Sequence, residues 1–198
     1  MHGRRNPFVA QEGVPFLLAM AVMTGLLVRF ADPWYSLVPI FLMVLLYLIF
    51  RDPHRSVPSV ALGVFSPVDG VVRTVDRIEQ GATGEPALRV LIDVDSLGTY
   101  AARSPVEGTI KDLGKKALWV QTDEGEDVVL TFSGYRFGLA PRALAKYGER
   151  LGQGQRCAYL RLTRTAEVQL PVNGKVLVEP GQTLLAGEDI IGNVPSPR

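Results

Sequence analysis

Cysteine and histidine are nearly missing from this chain. The single thiol, Cys157, excludes an internal disulfide framework and any cysteine-cluster zinc site, and His2 and His54 offer too few imidazoles for a metal centre. Charge of either sign is also scarce in net terms: +1, with 21% of residues charged, is not the global positive field of a dedicated nucleic-acid binder. No nucleic-acid partner is expected. At 198 residues a multidomain machine is excluded, leaving one good-sized domain with an appendage, or two small domains. Apolar residues are plentiful: 47% is too many for a disordered chain, and they crowd before residue 51. Most of the 20 Gly and 14 Pro come later and point to a turn-rich β domain.

Two runs, PFLLAMAVMTGLLV (15–28) and WYSLVPIFLMVLLYLIF (34–50), carry no charge. As helices they extend about 21 and 25 Å, a little short of the ~30 Å hydrocarbon core of a bilayer. The short polar turn between them, from Arg29 to Pro33, predicts a helical hairpin with both ends on one side. Arg4, Arg5, Arg51 and Arg55 flank the open end against Arg29 alone in the turn, which predicts both termini in the cytoplasm and an anchor in the cytoplasmic (inner) membrane. Trp34, Tyr35 and Tyr47 stand where interfacial aromatics are expected. A re-entrant or interfacial hairpin and a buried soluble core are the competing readings. A secretory signal fits less well, because a second apolar run follows and no small-residue cleavage site intervenes. The domain division expected is 1–56 for the hairpin and 57–198 for the rest.

Beyond Arg51 the texture changes to short β-type runs broken by Gly and Pro, at 70–75, 88–94, 118–121, 128–132, 157–162, 168–170, 175–178 and 189–191. This predicts a mainly β fold, a sandwich or barrel, with hairpin turns at Val172-Asn173-Gly174-Lys175 and at Pro180-Gly181. One short helix is predicted over 142–150, between Pro141 and Gly152. It would carry Arg142, Lys146 and Arg150 as one basic stripe, either a solvated face or a contact for phospholipid. An internal repeat is also present. Ser66-Pro-Val-Asp-Gly-Val-Val72 recurs 38 residues later as Ser104-Pro-Val-Glu-Gly-Thr-Ile110. Each copy supplies a rigid Pro, an acid and a Gly before a β-branched residue, which suits a tight turn feeding a strand. Two such units related by pseudo-symmetry predict a barrel-sandwich-like domain. A lipoyl- or biotinyl-type carrier would share this plan, but neither copy is followed by the exposed lysine such a carrier needs.

The order of these features is familiar. The hairpin entered through Glu12-Gly13-Val14-Pro15-Phe16, then Phe50-Arg51-Asp52-Pro53-His54-Arg55, Pro58 and Ser66-Pro-Val-Asp-Gly70, resembles the short membrane-bound form of the phosphatidylserine decarboxylase family. Arg103-Ser-Pro105-Val-Glu-Gly108, the stretch 138–152 and Gly154-Gln-Arg156 through Leu170-Pro171 resemble its later blocks. The resemblance implies decarboxylation of a phospholipid serine headgroup by a pyruvoyl group made from the chain itself. A Ser hydroxyl attacks the carbonyl of the preceding Gly, the ester eliminates to an N-terminal enamine that water hydrolyses to the pyruvoyl ketone with loss of ammonia, and that ketone forms an imine with the substrate amine that acts as the electron sink. An Asp and a His assist the Ser.

Carried over residue by residue, the resemblance is incomplete. Asp69 fills the family's acid position, Tyr100 stands at the His position, and Thr163 and Arg164 stand at the Gly-Ser position, followed by Thr165. No pyruvoyl group is therefore expected to form, and no other cofactor or metal is expected. Thr163 or Thr165 in the role of Ser would leave a 2-oxobutanoyl group, without the Gly that eases the scissile bond. The sequence thus predicts a non-catalytic relative that binds membrane phospholipid or regulates, with a second copy or an active decarboxylase as partner. The alternatives are an active decarboxylase with an atypical self-cleavage residue and a membrane-anchored adaptor. Arg103, Arg142, Lys146, Arg150 and Arg164 are the candidate phospholipid contacts, and Arg103 and Arg164 are expected to converge on Asp69, as an ion pair or as a phosphate grip.

Overall fold

The computed structural model describes residues 8–112, 117–135 and 138–195, so His2, Arg4 and Arg5 lie outside the described residues. The chain divides into two compact units, Met1–His54 and Arg55–Arg198.

In the first unit, α1 (Val14–Phe30) and α2 (Leu37–Phe50) form the hairpin, separated by a 3₁₀ turn over Pro33–Ser36. Asp32 starts that turn, its carboxylate accepting from the Trp34 N–H at 3.1 Å. Pro15 and Pro39 fall in the first turns of their helices, where a missing N–H leaves no bond unmade. Pro33–Phe50 is 18 residues with mean hydropathy 2.0, long and apolar enough to cross a membrane, while α1 has 17 residues. The open end is closed by backbone bonds from Ala10 N to Phe50 O and from Asp52 N to Phe8 O, both 2.8 Å. Phe16 stacks on Phe50 with ring centroids 5.9 Å apart. Gly13 sits against the Phe50 ring, where a Cβ would collide with it.

The second unit is mainly β and barrel-sandwich-like, with β1 (Gly63–Phe65), β2 (Gly70–Ile78), β3 (Ala87–Val94), β4 (Ala101–Arg103), β5 (Gly108–Asp112), β6 (Ala117–Gln121) and β7 (Asp127–Ser133) followed by β8 (Arg142–Ala143), β9 (Arg150–Leu151), β10 (Arg156–Tyr159), β11 (Thr165–Pro171), β12 (Lys175–Val176), β13 (Thr183–Leu184) and β14 (Ile190–Asn193). One eight-stranded antiparallel sheet runs β13-β2-β3-β11-β7-β6-β5-β9, and two three-stranded sheets run β1-β14-β12 and β4-β10-β8. Inward residues such as Val90, Ile92, Val120, Leu130, Val168 and Leu170 alternate with outward ones and build one core.

The strand orders are symmetric about the β11–β7 pair, and the sequence repeat is the visible part of this pseudo-twofold. Gly70 pairs with Leu184 as Gly108 pairs with Leu151. The Ser66 hydroxyl donates to the Val68 carbonyl and the Ser104 hydroxyl to that of Val106, both at 2.7 Å. Phe65 N donates to Pro105 O and Arg103 N to Pro67 O, each at 2.8 Å, so the two turns clasp one another. Both repeat glycines are required sterically: a Cβ on Gly70 would strike the Asp93 carbonyl oxygen, and one on Gly108 that of Gln121.

Three expectations need correction. The helix over 142–150 is absent, because its backbone is used laterally: Arg142–Ala143 pair with β10, Arg150–Leu151 pair with β5, and Leu144 N donates to Cys157 O at 2.8 Å. Arg142, Lys146 and Arg150 therefore form no helical stripe. The turns at 172–175 and 180–181 are not hairpins either, since β11, β12 and β13 pair with β3 and β7, with β14, and with β2 respectively.

Candidate functional site

Asp69 closes the first SPVDG turn and is buried, 6% exposed. Its Oδ2 accepts from Thr99 N at 3.0 Å and from an Arg55 guanidinium N–H at 2.8 Å, and its Oδ1 accepts from Ala186 N at 2.7 Å. Two backbone donors and one cation thus hold the carboxylate, a charge-assisted arrangement that fixes it in one rotamer. Gly98 packs so closely that a Cβ there would lie 2.8 Å from the Asp69 Cβ. The equivalent acid in the second repeat, Glu107, is exposed and shares Arg150 with Asp123. Those two carboxylates hold the Arg150 guanidinium proton and raise its already high pKa.

The cation at Asp69 is neither Arg103 nor Arg164. Arg103 is 2% exposed, donates to the Gly154 carbonyl at 3.1 Å, and lies against Gly187, where a Cβ would sit 2.8 Å from its Cδ. Arg164 is exposed, its side chain lying beside Gly134. The expected convergence of these two arginines on Asp69 is therefore replaced by Arg55, a residue whose place directly after the apolar hairpin suggested only a flanking charge. The motif Phe50-Arg51-Asp52-Pro53-His54-Arg55 was the available signal, but nothing local in it points to a partner 14 residues away.

Backbone bonds bring the segments that carry Tyr100, Thr163 and Arg164 near the acid turn. Asp95 N donates to Asp69 O at 2.9 Å and Val94 N to Arg164 O at 2.8 Å, which brings the Arg164 backbone beside the acid turn. Leu160 N donates to Tyr100 O at 2.9 Å, and Leu160 O accepts from both the backbone N–H and the hydroxyl of buried Thr163. Tyr100 and Tyr159 are buried with ring centroids 5.5 Å apart. Leu160 to Thr163 is a tight turn whose two central residues, Arg161 and Leu162, have φ of 47° and 66°, a left-handed pair normally reserved for Asn and Gly. Each non-glycine residue there carries strain of about 1–2 kcal/mol. Arg142 pairs through its backbone with Tyr159, while Lys146 is exposed, its N–H donating to Glu149 at 2.9 Å.

A membrane-type hairpin followed by a pseudo-symmetric β domain with a buried acid turn defines the class of protein. No family model matches the chain. The phosphatidylserine decarboxylase proenzyme of Nitrosomonas eutropha is 31% identical over 209 residues, covering 94% of this chain and 95% of that protein. That of Symbiobacterium thermophilum is 32% identical over 218 residues, covering 98% and 100%. Among solved structures, glucose permease IIA from Mycoplasma capricolum matches 66% of this chain with TM-score 0.48 and 18% identity. The chain belongs to the phosphatidylserine decarboxylase family.

Proposed function

We propose that this member is non-catalytic: a phospholipid-binding or regulatory protein, anchored by its hairpin in the cytoplasmic membrane with the β domain in the cytoplasm. The observation that carries the reading is the chemistry at the self-cleavage position. Thr163 has its hydroxyl committed to the Leu160 carbonyl, and Arg164 has no hydroxyl. Tyr100, where the family's His belongs, is packed against Tyr159 and cannot relay a proton as imidazole does. These residues do not fit a pyruvoyl group, whose precursor is Ser. The geometry instead preserves a rigid acid, Asp69, that can hold a cationic headgroup. Membrane phospholipid is the ligand class, and a second copy or an active decarboxylase is the protein partner. The inward orientation is supported by Arg51 beyond α2 against Arg29 in the turn, together with Arg4 and Arg5.

One observation favours the competing reading, an active decarboxylase with an atypical nucleophile. Two non-glycine residues held in the left-handed region, Arg161 and Leu162, stand directly before Thr163 and strain the backbone there. Intact-mass measurement of the purified full-length protein separates the two. The non-catalytic reading expects one species near 21.6 kDa. A stoichiometric break before Thr163 or before Thr165, with a ketone-blocked new N-terminus, would overturn it.

A further inference from the structure

The hairpin leaves a groove that its own residues do not fill. A cavity of about 520 Å³ opens between α1 and α2, lined chiefly by Val14, Leu18 and Ala21 on one helix and Met43, Val44 and Tyr47 on the other, with no charged side chain among its lining residues. Along α1 this face continues from Ala21 to Gly25 and Arg29, at i, i+4 and i+8. Gly25 stands inside the helix, where glycine is a poor residue, yet a Cβ built on it would meet nothing within 4 Å. No neighbour within the described chain calls for a missing side chain there. At the turn, the Arg29 guanidinium lies over the Phe30 ring, 5.2 Å from its centroid, and not on Asp32, whose carboxylate accepts from the Trp34 N–H. The closed end of the hairpin thus presents one cation and one anion, both on exposed residues.

We propose that this face of α1 is the docking surface for α1 of a second copy, the two hairpins pairing about a two-fold axis along the membrane normal. This rests on the membrane-anchored reading above and gives the second copy a defined surface. Charge complementarity selects that occupant. In a parallel two-fold pair the two turns lie at one depth, so Arg29 of each copy meets Asp32 of the other, and the contact is made twice, as an isologous interface requires. An acyl chain lying in the groove would satisfy neither charge. Between helices in lipid no hydrophobic force acts, and association comes from close packing and polar contacts. The residue at the crossing therefore decides how near the two backbones come. Gly25 supplies the close approach, and Ala21, one turn before it, leaves the groove open to the larger side chains of the other copy.

The test is energy transfer between donor- and acceptor-labelled copies of the full-length protein in phosphatidylcholine vesicles, read against the protein-to-lipid ratio. The unaltered chain is expected to show transfer that unlabelled copies dilute. Gly25→Leu is expected to weaken pairing at least tenfold, while Val38→Leu, on α2 outside the groove, is expected to leave it unchanged. Arg29→Asp and Asp32→Arg are each expected to weaken pairing severalfold alone and to recover it when mixed, because only the mixed pair sets opposite charges at both contacts. That exchange leaves both apolar runs untouched, so it carries the test should Gly25→Leu not insert. Three results each overturn the proposal: no transfer in the unaltered chain, which is the outcome for a groove filled by lipid chains; Gly25→Leu pairing as tightly as the unaltered chain; or mixed charge variants pairing no better than each alone. Alkaline carbonate extraction of the same vesicles separates the two readings. A chain stripped from the bilayer overturns the anchored reading and this proposal with it, whereas a retained chain without transfer overturns this proposal alone.

Discussion

Removing Asp69 should cost the fold more than removing its cation. Arg55→Ala deletes one charge-assisted hydrogen bond, worth about 1.5–3 kcal/mol, but the carboxylate it leaves keeps the Thr99 and Ala186 N–H donors. Asp69→Ala deletes all three bonds, orphans two backbone donors, and leaves a guanidinium whose side chain is 14% exposed, close to the limit of about 3–5 kcal/mol for breaking a buried pair. The acid should therefore be the costlier loss by about 1–2 kcal/mol. In the double variant the guanidinium penalty disappears, giving a coupling energy of about 1–3 kcal/mol between these neighbours. Thermal unfolding of the detergent-solubilised chain reads this directly, since 1 kcal/mol moves Tm by roughly 2–4 °C at this size. Strictly additive losses, or an Arg55→Ala loss equal to that of Asp69→Ala, would refute the reasoning.

Gly70→Ala and Gly108→Ala should each destabilise the domain by about 1–3 kcal/mol or more, and by similar amounts, because each new methyl meets a strand carbonyl that cannot retreat; denaturant midpoints check this, and tolerance at either position would break the claimed equivalence. The cross-strand pair Asp76–Arg89 gives a pH signature. Its hydrogen bonds lower the Asp76 pKa, so the folded state binds that proton less readily than the unfolded chain. The stabilisation is present above the ordinary Asp value of about 3.9 and fades as pH falls through the lower folded value. Because the side chains are 41% and 33% exposed, the effect is under about 1 kcal/mol; Asp76→Asn should lower Tm slightly at pH 7 and not at all in strong acid, and a loss that persists in acid would contradict the assignment.

The parts of the chain that were legible from residues alone are those decided by neighbours in sequence. The hairpin follows from two uncharged runs with a polar turn between them, since apolar continuity and the Pro positions are local facts. Most of the large sheet's inner strands were readable from β-branched runs between Gly and Pro, and the repeat was readable because Gly70 and Gly108 stand where a strand carbonyl leaves no room for a Cβ. Elsewhere in the pseudo-twofold the flanking residues differ, Thr183 beside Leu184 and Arg150 beside Leu151, so these two equivalent leucines stand in no repeated motif.

Tertiary structure decided the rest. Residues 142–150 read as a helix because Ala, Leu, Lys and Arg favour one, yet propensity of a few tenths of a kcal/mol per residue yields when β10 and β5 offer long-range backbone partners. The same holds at the acid turn. The sequence could place Asp69, Tyr100, Thr163 and Arg164 in one site by analogy, but which guanidinium reaches the carboxylate depends on how residues 55–57 pass over the turns at Gly154 and Gly187, against which Val57 packs. That choice is made by packing and by hydrogen-bond geometry across distant segments, which no local pattern encodes.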